Sequence, residues 1–398
     1  MAARLTPAAA AISRAVALAT PRSTITRRAP ASRSSQCGGG IAGNALALGL
    51  AAKGTRATVV ERAAAPRPGG QAVDLRGQSR AVVERMGLLP AIRERRLHER
   101  GMAYVDAQRR VYARLPAEMF DGAGPVADLE ITRGDLNDVL LTALGDRAEY
   151  RYGESITALR DDGAGVDVTF ASGHRERYDL VVAADGLHSA TRALVFGAEE
   201  RFTTHLGGAM SFFTVPTPAD AEPGWFSLHP AVGVSVGVRP DADPATAKAI
   251  VTLRAPAAPA LRGDADAQRE LVRRRLTGVG GHAPHILAAL PDAPDFYFDE
   301  LVRVDMPSLS AGRVTLLGDA GYCGSPLTGM GTAAAIVGAH VLCGELTAGP
   351  DDIPAALARV ERVLTPYLKR AKQVPGGGIR AMVPGSAATA GWPAPRPG

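Results

Sequence analysis

Three glycines in the pattern Gly38-x-Gly40-x-x-Gly43 constrain this chain more than any other feature, because a helix-like and a strand-like segment come directly after them. An apolar run from Ile41 to Lys53 stops at Gly54, and the segment TRATVVE, Thr55 to Glu61, comes next. The first glycine permits a tight turn, the second lets backbone approach a pyrophosphate, and the third lets a helix pack closely on a sheet. A phosphate then sits at the positive end of that helix. Glycine after the last apolar residue ends the helix, and Glu61 closes the next strand about 20 residues on, where a carboxylate can take ribose hydroxyls. A buried hydrophobic strand ordinarily precedes such a turn, yet here ASRSSQ precedes Cys37. The expectation is therefore a site whose first strand is replaced by unrelated sequence. Ala15 to Leu18 (AVAL) is a poor substitute, since too much chain would loop out between it and the turn.

Charge bears on the same region. Residues 1–36 hold six arginines and no acid, so removing them from the net +5 leaves a nearly neutral body. Polyanion binding needs a clustered basic face, and no nucleic-acid partner is expected. The leader resembles a transit peptide in composition, but a misassigned start or shifted frame upstream of Cys37 is the favoured reading, because targeting segments are identified by composition alone. The three cysteines, Cys37, Cys323 and Cys343, are odd in number and lack CxxC spacing, which argues against disulfides and zinc and for a reducing, cytoplasmic setting. No apolar run reaches about 18 uninterrupted residues, so no membrane span is expected.

Further along, Ala81 to Arg96 and Leu136 to Leu144 have helical spacing, and Met102 to Leu115 reads as a hairpin. Gly207 to Leu253 is a run of β-type segments separated by Pro, Gly and Asp, as in an antiparallel sheet. Two more motifs carry chemistry. In YDLVVAADGLHSATR a strand ends at Asp185-Gly186, where the aspartate can anchor a ligand or cap a helix. In RVTLLGDAGYCGSPLTGMGTAAAIVGAHVL a strand ends at Gly318-Asp319, and Pro326, Gly329 and Gly331 lead into a long apolar helix. Backbone amides and a helix dipole there suit an electron-rich ligand, and Asp319 suits a ribitol or ribose hydroxyl.

In this order the three motifs resemble the class A flavoprotein monooxygenases of the p-hydroxybenzoate hydroxylase type. GGQAVDLRGQSRAVVERMGLL and ITRGDLNDVLL are similar in particular to tetracycline-inactivating monooxygenases and actinobacterial polyketide hydroxylases. The resemblance spans Gly38 to Lys372. It implies an α/β fold: a doubly wound, Rossmann-like FAD-binding domain (37–195 and 300–350) with an inserted antiparallel-sheet substrate domain (196–299). The hairpin 101–116 would join the substrate sheet, 351–374 would be a C-terminal helix, and 375–398 a disordered tail. FAD contacts would fall to Gly38, Gly40, Gly43, Glu61, Arg62, Asp74, Arg76, Arg133, Asp185, Gly186, Gly318, Asp319, Pro326, Gly329 and Gly331. The implied reaction uses NAD(P)H and molecular oxygen to hydroxylate an aromatic or polycyclic small molecule through a flavin C4a-hydroperoxide. The cofactor supplies the reactivity, so no catalytic residue is singled out, and no HExxH, GxSxG or metal site is expected.

Phe212, Phe213, Trp225 and Phe226 are candidates for an apolar substrate wall, although period-2 alternation does not say which face is the pocket. His188, His205 and His229 could touch a phenol, and Cys323 reads as a small packing residue. Two alternatives stay open: a flavin reductase on the same scaffold that never activates oxygen, and a non-catalytic member whose FAD retention is weakened by the missing strand.

Overall fold

Residues 33–37 form a strand where the sequence pattern gives no sign of one. In the computed structural model, which describes residues 33–66, 69–120, 127, 129–349, 352–374 and 376–386, Arg33–Cys37 runs parallel between Arg56–Glu61 and Leu180–Ala183. Ser34 pairs with Leu180 and with Ala57, and Cys37 with Ala183 and Val60. This corrects both the expectation of a missing strand and the domain boundary at residue 36. A central parallel strand usually reads as a hydrophobic run. Here RSSQC lacks one; its neighbours, VVE and LVVA, bring the apolar side chains while the strand contributes backbone ladder bonds. Ser35 is wholly buried and its hydroxyl has no hydrogen-bond partner. The Ala15 to Leu18 segment lies outside the described residues.

The six-stranded sheet has the order Ser310–Ala311, Val314–Leu316, Leu180–Ala183, Arg33–Cys37, Arg56–Glu61, Glu149–Tyr152. Only its first strand is antiparallel. The helix Ile41–Ala52 lies on it and is apolar all round because two other helices cover its outer side, Arg133–Leu144 and Gly331–Ala348. Gly49 permits that approach, since a Cβ there would sit 3.1 Å from the Cys343 sulfur. Gly331–Ala348 is long and apolar enough to cross a membrane, a feature not expected from the sequence. In this fold it is sandwiched between Ile41–Ala52 and the C-terminal helix Ile353–Ala371. The helix expected over Ala81 to Arg96 is two, Gln78–Arg85 and Leu89–Glu94, separated at Gly87 with φ 74°.

The second sheet has seven strands, ordered Tyr297–Val304, Thr203–Pro216, Thr246–Arg254, Val234–Pro240, Trp225–Ala231, Gly101–Val105, Val111–Pro116. The 101–116 hairpin thus joins it as expected. The boundary at 299/300 is corrected, because it falls inside a single strand. One face packs on the helices Ala265–Leu276 and Ala283–Ala289. The other turns towards the first unit and meets Leu327. The tail is corrected as well: Ile379–Met382 is a helical turn, with Ile379 lying over Gly208 and Val383 fully buried. The Gly233 amide donates to the Pro384 carbonyl at 2.9 Å. Residues 375 and 387–398 lie outside the described set.

Charged side chains pin the two units together. His188, from the loop after Leu180–Ala183, stands between Glu199 (Nδ1 to Oε1, 3.0 Å) and Asp299 of the second sheet (Nε2 to Oδ1, 3.0 Å). The Asp299 hydrogen bond raises the imidazole above its ordinary 6.5, against the opposing effect of burial. A raised histidine contributes its stability fully below the ordinary value and loses it as pH rises through the folded-state value. Replacing His188 by Gln is therefore expected to cost about 1–2 kcal/mol at pH 6 and clearly less at pH 9, read from urea midpoints. Replacing Ser35 by Ala removes an unpartnered buried hydroxyl and is expected to stabilise by about 1 kcal/mol in the same assay.

Candidate active site

The glycine turn is built on a close backbone approach. Gly38 has φ 110°, its amide donates to the Val60 carbonyl at 2.7 Å, and a Cβ would lie 2.2 Å from the Ala184 carbonyl oxygen. Only glycine fits. The Gly39 amide donates to Glu61 Oε2 at 2.8 Å, and Glu61 Oε1 accepts from the Ala63 amide at 2.8 Å. Gly40 starts the helix without a side-chain cap or an acid in the first turn, which leaves its free amides and positive dipole end for an anion. Gly43 is buried in that helix. Arg62 is exposed on the turn beyond Glu61.

Sequence reasoning missed the polar lock beneath this turn. Asn44 Nδ2 donates to the Gly39 carbonyl and to Asn137 Oδ1, both at 2.8 Å, and the Tyr150 hydroxyl donates to Asn44 Oδ1. The available signal was an asparagine inside an otherwise apolar helix, since a buried amide has to be satisfied by something.

Arg133 opens the helix Arg133–Leu144, whose cap is Thr132: the Asp135 amide donates to its hydroxyl at 3.1 Å. Its guanidinium reaches towards the glycine turn, 3.8 Å from where a Gly40 Cβ would be. The amides of Arg133 and Gly134 donate to Gln71 and Gly69 carbonyls at 3.0 and 2.7 Å, which ties the 69–74 segment to the helix start. Asp319 follows Gly318, whose φ is 65° and whose Cβ would lie 2.9 Å from that of Ala42. The Asp319 surface is open, yet protein surrounds it; that enclosure raises its carboxyl, with Arg133 opposing. Tyr297 is likewise 48 % exposed but enclosed. Pro326, Gly329 and Gly331 also present open surface while Leu327 between them is buried. Together with Arg133, these residues line a deep cleft that ends at the uncapped helix.

Asp185 takes the capping role of its two sequence readings. It accepts from the Thr191 amide at 3.0 Å and from the Ser189 hydroxyl, beside Gly186 with φ 86°. Arg192, wholly buried, donates to the Ala320 and Leu187 carbonyls at 2.9 and 2.8 Å and so stitches the Asp185 loop to the Asp319 turn.

Of the four aromatic candidates, Phe212 and Phe226 face the cleft side, in a cluster with Met210, Leu228, Ile250, Leu301 and Leu327. Phe213 packs instead against Phe296 on the helix-covered face. Trp225 points away from Phe226 and lies under Arg100 and Arg114, 5.5 and 4.8 Å from the ring centroid. Phe212 lies beside Tyr297 at 6.2 Å. His229 Nδ1 donates to the Val105 carbonyl at 2.9 Å, and His205 accepts from the Gly207 amide at 3.1 Å. Cys323 is buried, and burial pushes its thiol well up, in keeping with a packing role.

Asp74 and Arg76 form an ion pair of 2.7 Å beside the Gly329 turn, with Asp74 Oδ2 3.7 Å from a Gly329 Cβ position. The donor set fits FAD: an uncapped helix end for a diphosphate, a carboxylate at a strand end for ribose, a second enclosed carboxylate for a ribityl chain, and a glycine-bearing loop open to a flat ring.

Residues 37–350 match the family described as FAD binding domain. An uncharacterised protein, Rv1260 of Mycobacterium tuberculosis strain H37Rv, is 39 % identical over 347 residues, covering 85 % of this chain and 93 % of its own. A flavin-dependent monooxygenase of Legionella longbeachae is 35 % identical, covering 83 % and 84 %. The crystal structure of tetracycline destructase Tet(55) superposes with a TM-score of 0.77 at 35 % identity, covering 86 % of this chain and 88 % of that one. The chain belongs to the FAD-binding-domain family and is a FAD-dependent class A flavoprotein monooxygenase.

Proposed function

We propose that this monooxygenase hydroxylates an aromatic or polyketide-like polycyclic molecule in the cleft between the Pro326–Gly331 loop and the Phe212 face of the second sheet. The observation that carries this is the apolar wall of Met210, Phe212, Phe226 and Ile250 set opposite Leu327. A flat apolar substrate fits such a wall, with few polar groups to orient it. The match to a tetracycline destructase favours a polycyclic substrate.

FAD, reduced by NAD(P)H, supplies the oxygen-transfer chemistry when bound. The chain positions it. The free amides from Gly40 onward hold the diphosphate, Glu61 exchanges its Gly39 bond for ribose hydroxyls, and Arg62 lies beside them. Arg133 balances phosphate charge and the Asp319 carboxyl, which takes the ribityl hydroxyls. Asp185 and Gly186 support that end through Arg192, while Gly318 and Gly43 keep backbone and helix close. Pro326, Gly329 and Gly331 would lie along the ring, with Asp74 and Arg76 near its edge, and the buried apolar face of the second sheet beside Leu327 would keep water out. Two buried free thiols, Cys323 and Cys343, suit a cytoplasmic location.

The first strand is formed, so near-stoichiometric FAD is expected in the purified protein by absorbance near 450 nm, rather than the weakened retention that a missing strand implies. Glu61→Gln is expected to weaken FAD binding about tenfold, or about 1.4 kcal/mol, as a charge-assisted bond becomes neutral. Oxygen uptake with NADH or NADPH and a panel of polycyclic phenols, including tetracyclines, should rise with a substrate and yield product gaining one oxygen atom. Hydride transfer to a C=C bond without oxygen consumption would favour the reductase reading instead.

A further inference from the structure

Five charged side chains are packed together where the two-stranded ribbon Ala72–Asp74 and Glu130–Thr132 meets the second sheet. Asp74 and Glu130 are opposite each other in the ribbon register, which brings the two carboxyls together. Two buried neighbouring carboxyls are held at least cost when one carries a proton and donates to the other. The other partners of Glu130 decide which one. Its Oε1 accepts from the Ala127 amide at 2.8 Å and its Oε2 accepts from Arg239, so Glu130 is an acceptor throughout and the proton belongs to Asp74. Arg239 donates a second bond to Glu99 Oε1 at 2.7 Å, while Glu99 Oε2 is buried without a partner. Asp74 is in turn paired with Arg76 at 2.7 Å. Three carboxyls therefore share two guanidiniums in a space where the side chains of Glu99 and Glu130 are each 1 % exposed.

Burial, then the bond to Glu130, raise Asp74 to about 7 against the pull of Arg76 and Arg239. Burial opposes ionisation of Glu130, but Arg239 and the Asp74 bond hold it below the ordinary value. Burial also raises Glu99, to about 8, with Arg239 opposing and the neighbouring Glu130 adding to the rise. The charged groups facing Asp74 are Arg76 from its own segment, Glu130 from the other ribbon strand and Arg239 from the second sheet, with Glu99 behind Arg239. The loop that meets it contributes Gly329, which has no charge.

We propose that Asp74 is a positioning residue that stores a proton in step with the flavin: the Asp74–Glu130 pair takes up a proton when the cofactor is reduced and releases it on reoxidation. This rests on the proposed placement of the ring along Pro326–Gly331. Hydride transfer from NAD(P)H brings two electrons and one proton into the site and releases the nicotinamide cation, leaving one extra negative charge next to the Gly329 turn. The ionised fraction of Asp74 then takes one proton from water, so that two electrons are matched by two protons. The nearby negative charge raises the carboxyl further, and the proton leaves when that charge does. Arg239 and Glu99 hold Glu130 as the fixed acceptor, which keeps the exchangeable proton on the member nearest the ring.

The test is the midpoint potential of the holoenzyme as a function of pH, measured without substrate. Between about pH 6 and 8 the wild type should fall more steeply than Asp74→Asn, by up to about 30 mV per pH unit, the slope of one proton per two electrons. Glu99→Gln should keep the wild-type slope. Glu130→Gln, which replaces a neighbouring acid with a neutral amide, should shift the steep region to lower pH and serves if Asp74→Asn does not fold. Parallel potential curves for wild type and Asp74→Asn would overturn the proposal. Infrared spectra of the FAD-free protein provide a separate reading: two protonated-carboxyl bands are expected, the one that titrates near pH 7 being lost in Asp74→Asn and the one that titrates at higher pH being lost in Glu99→Gln. Loss of the lower-pH band in Glu99→Gln but not in Asp74→Asn would put the proton on the wrong residue and overturn the assignment. Bound FAD that shows the pH step but never hydroxylates any phenol would instead refute the function and leave the proton store standing.

Discussion

The contact between Gly38 and the Ala184 carbonyl sets the spacing on which both halves of the site depend. A methyl group at Gly38 would enter the van der Waals space of that oxygen. Pushing the turn away would displace the Gly39 amide from Glu61 and swing the helix start out of line with Arg133 and Asp319. The same contact brings the Asp185 loop under the turn, and Arg192 carries that placement on to the Asp319 turn through the Ala320 carbonyl. Residues far apart in sequence therefore converge on one cleft because two backbones approach within touching distance, with no side chain between them.

The parts legible in the sequence were those written in backbone requirements. Glycines at 38, 40, 43, 318, 329 and 331 marked turns and helix starts, and each lies where the motif placed it. The first strand was not legible because strands are recognised by their side chains, and Arg33–Cys37 relies on ladder bonds between two hydrophobic neighbours. Phe212 and Phe213 show a second limit. Alternation puts them on opposite faces, but the choice of face depends on the helices Ala265–Leu276 and Ala283–Ala289; helical spacing can be read locally at Ala267 to Arg275 and His285 to Leu290, whereas the face they cover cannot. Asp74, Glu99, Glu130 and Arg239 form one cluster from four separate segments; spacing along the chain holds no record of it. The turn at Ile379–Met382 was hidden by composition, since a glycine- and proline-rich stretch reads as tail until Gly208 offers a hollow for the isoleucine.

The seam between the units is mostly held by charge. His188 bridges Glu199 and Asp299, Arg239 joins Glu99 to Glu130, and Lys248 pairs with Asp241 at 3.1 Å while approaching Gly69. Apolar packing alone would tolerate sliding, whereas a guanidinium between two carboxylates fixes both distance and angle.

The strand order of the first sheet has a consequence for how the protein is made. Arg33–Cys37 is among the first described residues to leave the ribosome, but its sheet is incomplete until Val314–Leu316 arrives, and the outer side of Ile41–Ala52 stays uncovered until Gly331–Ala348 is synthesised. The second sheet likewise waits for Ile379. Both neighbours of Arg33–Cys37 are made by Ala183, but neither half can close until late in elongation, so the outer face of an apolar helix stays exposed through most of translation. Such exposure favours aggregation over folding. For this chain, the interval before release is the period in which a chaperone would matter most.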